Sequence, residues 1–516
     1  MTASSSVPPA KSFRVGSDGN RLLVQAMVAI AVLSVPVFCT RFLNDMDYYA
    51  LVSDKLLRGG VLYRDALDTK PPLVFLHYSA IFRLFGRDNL AAVKIVTMVW
   101  LALSALAMRA VRMELFPSSS WPEGAAVLFV LASFSGWGED FLSSNTEILA
   151  NLFILLGVLG MVRDDFGDRW TRLLAAGASI GVAFLYRYQS GAALLAYALT
   201  MALTRVRFEI QVRRLGLLAV GWAIPLALVV GYYVWIGGLS DLALFLRYQS
   251  YYLRPYDLYW PQLLAQFVVV IVSQAPFLVL SGWQVVVMVR QATLTRRDVF
   301  LLSFLFLSIW PFFVGGHYFP HYIVQAIPAM VLLTHERLSE LATASLESPR
   351  ARAAMRYARA HILINVVAFS IANTTYYSML PADAPSRELA RFVQEHTDPR
   401  DSLFMWTTRS HILFEVDRSY ATRFLSNEVL TGRLYMTRNR LPEATAESTR
   451  AAATPELWPV LLRDLGTEKP RLILDDGPGQ SHFGIDHYPA LAAFVREFYE
   501  QGRVIDGLCV YLRKAS

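Results

Sequence analysis

Long apolar runs recur along the first three-quarters of the chain, near residues 22–40, 90–108, 123–137, 146–162, 171–186, 188–204, 215–236, 265–289, 298–314, 319–334 and 360–379. Each suits a helix of about 17–25 residues, the length that crosses a bilayer once tilt and frayed ends are allowed. The pattern therefore predicts eleven spans, with 188–204 the least distinct because it is nearly continuous with the run before it. A twelfth run, Pro71–Gly86, is shorter and carries His77 and Arg83 in its body. Arginine placement decides its role. If 71–86 lies on the membrane surface, one set of loops collects Arg109 and Arg112, Arg163, Arg169 and Arg172, Arg205 to Arg214, Arg290 to Arg297, and Arg337 to Arg359. The opposite loops hold none in 138–145 and 315–318, Arg187 alone in another, and Arg247 with Arg254 in the last. Basic loops stay in the cytoplasm, so 71–86 is expected to be interfacial and the loop carrying Asp45 extracytoplasmic.

Beyond residue 380, amphipathic stretches such as "SRELARFVQEHT" and "YPALAAFVREFYE" alternate with short apolar ones such as "DSLFMW", "PRLILDD" and "LCVYLR". That is the signature of a small α/β unit. The expected organisation is a cytoplasmic tail over 1–20, a helical membrane domain over 21–380, and a soluble α/β domain over 381–516. An odd number of spans puts this last domain on the side of Asp45. Residues 22–40 form a run long for a signal peptide and without a clear small-residue cleavage site, so it reads as an uncleaved anchor.

Composition agrees: 55% hydrophobic and 17% charged residues make the chain too apolar for an ordinary soluble protein of 516 residues. The two cysteines, Cys39 and Cys509, fall in different environments and supply neither a disulfide framework nor a metal cluster. The net charge of +7 does not point to nucleic acid, because the arginines flank apolar runs, where topology and lipid headgroups explain them.

The stretch "NDMDYYALVSDKLLRGGVLYRDALDTKPPLVF" (Asn44–Phe75) raises the question of chemistry. Asn44 or Asp45 suits the N-cap of a helix with Tyr49, Val52 and Leu56 on one face and Gly59–Gly60 as its stop. Capping or a wet loop would account for both Asp45 and Asp47. Lys70 suits an interface anchor, Glu147 a helix N-terminus, and the tyrosines an aromatic belt. Arg187, within "AFLYRYQSG", is different, since charge inside an apolar stretch points to function.

That stretch, with "FGRDNLAAVK", "SSNTEILANLF", "LYRYQSG" and "GGHYFPHYIVQAIP", resembles the bacterial members of glycosyltransferase family 39. These belong to the GT-C superfamily of polytopic transferases, which includes protein O-mannosyltransferases and lipid A aminoarabinose transferases. The resemblance covers roughly residues 20–380. It implies an α-helical polytopic membrane protein of GT-C type, with about eleven transmembrane helices, periplasmic juxtamembrane helices and a periplasmic C-terminal α/β domain, in a bacterial inner membrane. The implied reaction moves a monosaccharide from a polyprenyl-phosphate donor to a glycan, lipid or protein acceptor of the envelope. Asp45 matches the family's first-loop aspartate, although Met46 stands where Glu is usual and Asp47 follows, so either carboxylate is a candidate base. One base suffices, because a phosphate leaving group needs no proton, and inversion is implied. Lys70, Arg187 and Tyr322 match residues around the lipid phosphate. Glu147, His317, His321, Arg247 and Arg254 are further candidate donor or acceptor contacts. No cofactor is required by this reading, and a divalent metal is left unassigned. Two other functions remain open: a transporter or flippase of lipid-linked glycans, and a polysaccharide ligase or polymerase. A transporter would usually show internal repeats, and none is found in the sequence.

Overall fold

The computed structural model describes residues 15–87, 89–117, 121–167, 169–252, 258–291, 293–313, 318–380, 387–406, 411–434, 437–475 and 482–515. Each apolar run falls on helical segments. Among the described residues, four helices are long and apolar enough to cross a membrane: Leu90–Leu115, Phe208–Trp235, Trp260–Val289, and the one starting at Thr146, over Thr146–Arg163. Val24–Phe38, Leu73–Phe85, Glu123–Ser133 and Trp170–Tyr186 are apolar but shorter.

The helix Phe208–Trp235 buries few side chains, among them Leu218, Gly221, Pro225 and Tyr233, while Val220, Ile224, Leu228 and Trp235 face outward. Such a surface is stable in lipid, not in water. Its seat is made of small residues. A Cβ added at Gly177 would strike the Leu218 carbonyl, one at Gly181 the Trp222 carbonyl, and one at Gly221 the Leu174 carbonyl. Glycines four apart thus let Trp170–Tyr186 approach its neighbour backbone to backbone, and this fixes the end of the helix that delivers Arg187.

Leu73–Phe85 has 13 residues, roughly 20 Å of helix, short of the ~30 Å apolar slab of a bilayer. It buries Val74, Phe75, Tyr78, Ile81 and Phe82, and exposes Leu76, Leu84 and Phe85. The buried face lies on the helix Met46–Leu57: the Ser53 hydroxyl donates to the Phe75 carbonyl at 2.9 Å, and the Tyr49 ring meets Phe75 and Tyr78 edge-on.

The C-terminal part is built on a five-stranded sheet in the order β2-β1-β3-β5-β4, comprising β1 (Ser402–Trp406), β2 (Ser419–Tyr420), β3 (Leu472–Asp475), β4 (Tyr499–Ile505) and β5 (Leu508–Arg513). β1 runs parallel to β2 and β3, and β5 is antiparallel to both β3 and β4. All of β3 and four of five residues of β1 are buried, which explains why they read as continuous apolar runs. Asp506 and Gly507, both at positive φ, turn β4 into β5.

Ion pairs and backbone bonds join this part to the helices. The buried Asp54 on Met46–Leu57 meets Arg58 at 3.0 Å and also Arg87, and both arginines reach Asp417 in the C-terminal part. Lys55 donates to the Tyr420 carbonyl at 2.8 Å, Arg41 pairs with Glu415 at 2.5 Å, and the Leu67 N–H donates to the Arg423 carbonyl at 2.7 Å.

Two outcomes are expected. In a Cys39→Ser background, cysteines at the exposed positions Leu84 and Glu497 should react with an impermeant maleimide from the same side of sealed vesicles; opposite sidedness would make 71–86 a crossing. Asp54→Ala leaves two arginines facing each other and should cost about 3 kcal/mol, read as a lower unfolding temperature and faster proteolysis between residues 380 and 402.

Candidate active site

Asn44 adopts the left-handed conformation, φ 47°, which asparagine tolerates better than most residues. The turn brings Asp45 to the N-cap position of Met46–Leu57. Its side chain makes no capping hydrogen bond, so the capping role anticipated from sequence is not the one it plays. Instead Asp45 Oδ2 lies 3.1 Å from Lys70 Nζ and accepts from the Tyr49 hydroxyl at 3.2 Å. Burial opposes its ionisation, but the Lys70 ammonium and the His321 imidazole outweigh burial and hold the carboxyl below its ordinary value of 3.8. About 28% of the Asp45 side chain still reaches solvent, so a substrate can approach it. Asp47, in the first helical turn, accepts the Tyr48 N–H at 2.9 Å.

Lys70 is delivered by a tightly held loop. Tyr63, at φ 66°, closes a turn by its N–H to the Ala66 carbonyl at 2.8 Å, and its hydroxyl donates to the Lys70 carbonyl at 3.0 Å. A bulky residue in this conformation stores of order 1–2 kcal/mol of strain. Stacking on Phe245, with ring centroids 4.0 Å apart, helps retain it. The Thr69 carbonyl accepts from the Tyr188 hydroxyl at 3.2 Å and from the Gln249 side chain. Lys70 N–H donates to Asp68 at 2.8 Å. Burial lifts the Asp68 carboxyl above its ordinary value, although Lys70 pulls the other way.

A second ionic chain adjoins the first. The helix Trp170–Tyr186 stops at Arg187, which is extended, and the chain resumes as Ala192–Leu203 after a 3-10 turn. This break explains the near-continuous run in the sequence. Arg187 Nη1 lies 3.1 Å from Glu147 Oε1, and its guanidinium sits 4.1 Å from the Tyr322 ring centroid. Glu147 also accepts from the Thr146 hydroxyl at 2.9 Å and lies 3.8 Å from His321 Nε2. His321 Nδ1 contacts Asp140 Oδ1 and Asn44 Nδ2, each at 3.1 Å. Asn44 thus links this chain to Asp45.

Of the residues singled out in the sequence, Asp45, Lys70, Glu147, Arg187, His321 and Tyr322 converge here. Arg247 lies on the helix Leu239–Tyr252 with its side chain exposed; its neighbour Gln249 is the one that reaches the Lys70 loop. His317 and Arg254 lie outside the described residues. Among the described residues, no group of three or more His, Cys, Asp or Glu side chains is arranged to hold a metal ion. Sequence reasoning missed Tyr49, Asn44 and Asp68 as partners, and Asp140, whose only local signal was an acid in a loop free of Lys and Arg. It also missed the C-terminal contribution. Glu428, paired with Arg440 at 2.6 Å, has its carboxyl raised by burial; Arg440 opposes this, and the negative charge of Asp45 adds to it.

Residues 69–235 match the family described as dolichyl-phosphate-mannose-protein mannosyltransferase. That segment contains Lys70, Glu147 and Arg187, but not Asp45 or Tyr322. No curated protein matches the chain. Solved structures do, along nearly its whole length. ArnT from Cupriavidus metallidurans bound to undecaprenyl phosphate is 15% identical, with a TM-score of 0.56, covering 97% of this chain and 99% of that one. The apo form of the same protein gives 15%, 0.58, 96% and 98%. The Archaeoglobus fulgidus oligosaccharyltransferase tethered to an acceptor peptide is 12% identical, with a TM-score of 0.53, covering 97% of this chain and 74% of that one. At these identities the likeness is one of fold: the chain shares the architecture of ArnT and of the archaeal oligosaccharyltransferase along nearly its whole length.

The sign of the Asp45 shift gives a test. A folded-state value below 3.8 stabilises the protein above the unfolded value, and this stabilisation disappears as pH falls through the folded one. In Lys70→Met the main cation is gone and burial prevails, so the Asp45 carboxyl should titrate above 3.8, and protonation should then favour folding. The Asp45-dependent part of the unfolding temperature, isolated by Asp45→Asn in each background, should therefore change its direction with pH between wild type and Lys70→Met.

Proposed function

We propose that the chain is a membrane glycosyltransferase that moves one sugar from a polyprenyl-phosphate donor to a cell-envelope acceptor on the extracytoplasmic side, with inversion and with Asp45 as general base. The observation that carries this reading is the Asp45–Lys70 pair: a carboxylate that forgoes helix capping to sit, partly exposed, against a partly buried lysine. As it stands the pair makes Asp45 a weak base. A donor phosphate entering beside Lys70 would compete for the ammonium, and loss of that cation raises the basicity of the carboxylate where the acceptor must be deprotonated. Donor binding and base activation then become one event.

The acceptor hydroxyl gives its proton to Asp45 as its oxygen bonds to the anomeric carbon, while the bond from that carbon to the phosphate oxygen breaks and the polyprenyl phosphate leaves with the electron pair. Lys70 takes the developing charge as a preorganised donor. Arg187, held by Glu147 and Tyr322, is a second cation within the same cluster. The extracytoplasmic location rests on the distribution of arginine: the end of the bundle opposite Asp45 carries Arg109, Arg112, Arg163 and Arg337. That a single sugar is transferred, and that the bacterial inner membrane is the site of action, are carried over from the family resemblance.

Transfer from a purified polyprenyl-phosphate sugar in nanodiscs tests the assignment. Asp45→Asn should lower turnover by about a hundredfold or more, within the usual range for a general base, and Asp47→Asn should lower it far less. Lys70→Ala should weaken donor binding as well. Normal turnover by Asp45→Asn with collapse of Asp47→Asn would move the role of base to Asp47, and normal turnover by both would remove this loop from the chemistry.

A further inference from the structure

The C-terminal part holds a cavity of about 420 Å³, walled by Leu430, Thr431, Arg450, Trp458, His487 and Tyr488 among others. Its size falls within the range of about 300–1,000 Å³ typical of small-molecule sites. We propose that this cavity binds a saccharide unit of the acceptor, making the acceptor a glycan or glycolipid, gripped at a second point beyond the reacting hydroxyl. The inference rests on the transfer reading above and deepens it.

Two observations support it. First, the wall combines aromatic rings with polar groups in the way a pyranose requires, since a sugar ring presents a C–H face to aromatic surface and a rim of hydroxyls to donors and acceptors. Trp458 and Tyr488 are stacked with centroids 5.3 Å apart, and Trp406 braces both, at 5.6 Å from Trp458 and 5.0 Å from Tyr488. The Trp458 indole N–H is fixed on the Leu430 carbonyl at 3.2 Å. Rings held this way lose little freedom when a ligand packs on them. Arg450 and His487 are exposed at the cavity, and a guanidinium there can donate to sugar hydroxyls without a large desolvation cost.

Second, the part that holds the cavity is bonded to the elements that carry the reacting pair: the Leu67 N–H, on the loop that delivers Lys70, donates to the Arg423 carbonyl at 2.7 Å, and Lys55, on the helix that Asp45 begins, donates to the Tyr420 carbonyl at 2.8 Å.

The test uses the intact chain in nanodiscs and reads binding, not turnover, so that its result is independent of Asp45 chemistry. Three disaccharides, maltose, methyl α-mannobioside and N,N′-diacetylchitobiose, are titrated by saturation-transfer NMR, alongside a Ser/Thr-containing octapeptide. At least one disaccharide should bind saturably, and its dissociation constant should rise tenfold or more in Arg450→Gln and in Ala490→Trp, which places an indole at the cavity mouth. Both positions are exposed, so unfolding temperatures should match wild type; should one variant fail to fold, the other decides. The proposal is overturned if no disaccharide binds, if binding ignores both substitutions, or if the octapeptide alone binds with that sensitivity. The same titration in Asp45→Asn should give the wild-type result, which separates failure of this site from failure of the transfer reading.

Discussion

The organisation of the site depends on one electrostatic requirement: a carboxylate drawn partly out of water needs a cation close by. Asp45 and Lys70 meet this need for each other across 3.1 Å, and much of the surrounding structure serves to hold them in register. Asn44 turns the chain so that Asp45 faces inward. Tyr63 accepts an unfavourable conformation so that its hydroxyl can hold the Lys70 carbonyl, and Tyr188 and Gln249 fasten the residue before it. The helix Leu73–Phe85 buttresses the helix that Asp45 begins. Loops bear both charges, but those loops are anchored at several points, which is the condition for a precise site.

Each of three cations in this region faces a carboxylate. Lys70 answers Asp45, Arg187 answers Glu147, and Arg440 answers Glu428. A region so balanced is stable when empty and responds when an anion arrives, because any phosphate must take a cation from a carboxylate already present. The same arithmetic explains the opposite shifts of the two aspartates that share Lys70: Asp45 lies within direct contact of the ammonium and is lowered, whereas at Asp68 burial prevails and the carboxyl is raised.

The helices were legible in the sequence because their signals are local. An apolar run of membrane length needs no partner to be recognised, and the break at Arg187 left its mark as a charged residue between two runs that almost merge. Six of the side chains that converge around Asp45 and Arg187 had also been singled out in the sequence, through resemblance more than through pattern. What remained hidden depends on contacts between distant positions. Tyr49 read as one member of a helix's apolar face, and nothing nearby in sequence reveals its bond to Asp45. Asp140 meets His321 across 181 positions and Asn373 fastens the turn before it, with Gly138 N–H donating to its side chain at 2.9 Å. The expectation that Asp45 caps its helix failed because a nearby ammonium binds a carboxylate more strongly than a helix N–H does.

The joint between Asp54, Arg58, Arg87 and Asp417 has a consequence for how such chains diversify. Asp54 lies on the helix that Asp45 begins, so the C-terminal part bears on the orientation of Asp45 through two arginines. A recombination event that exchanged the C-terminal part for that of a relative would carry Asp417 away from Arg58 and Arg87, leaving their positive charges in excess over Asp54 alone. Such grafts would survive only where the acceptor chain's counter-charge came with them. The sheet-bearing part and the helix that Asp45 begins are thus matched in charge as one unit, even though more than 300 residues separate them in the sequence.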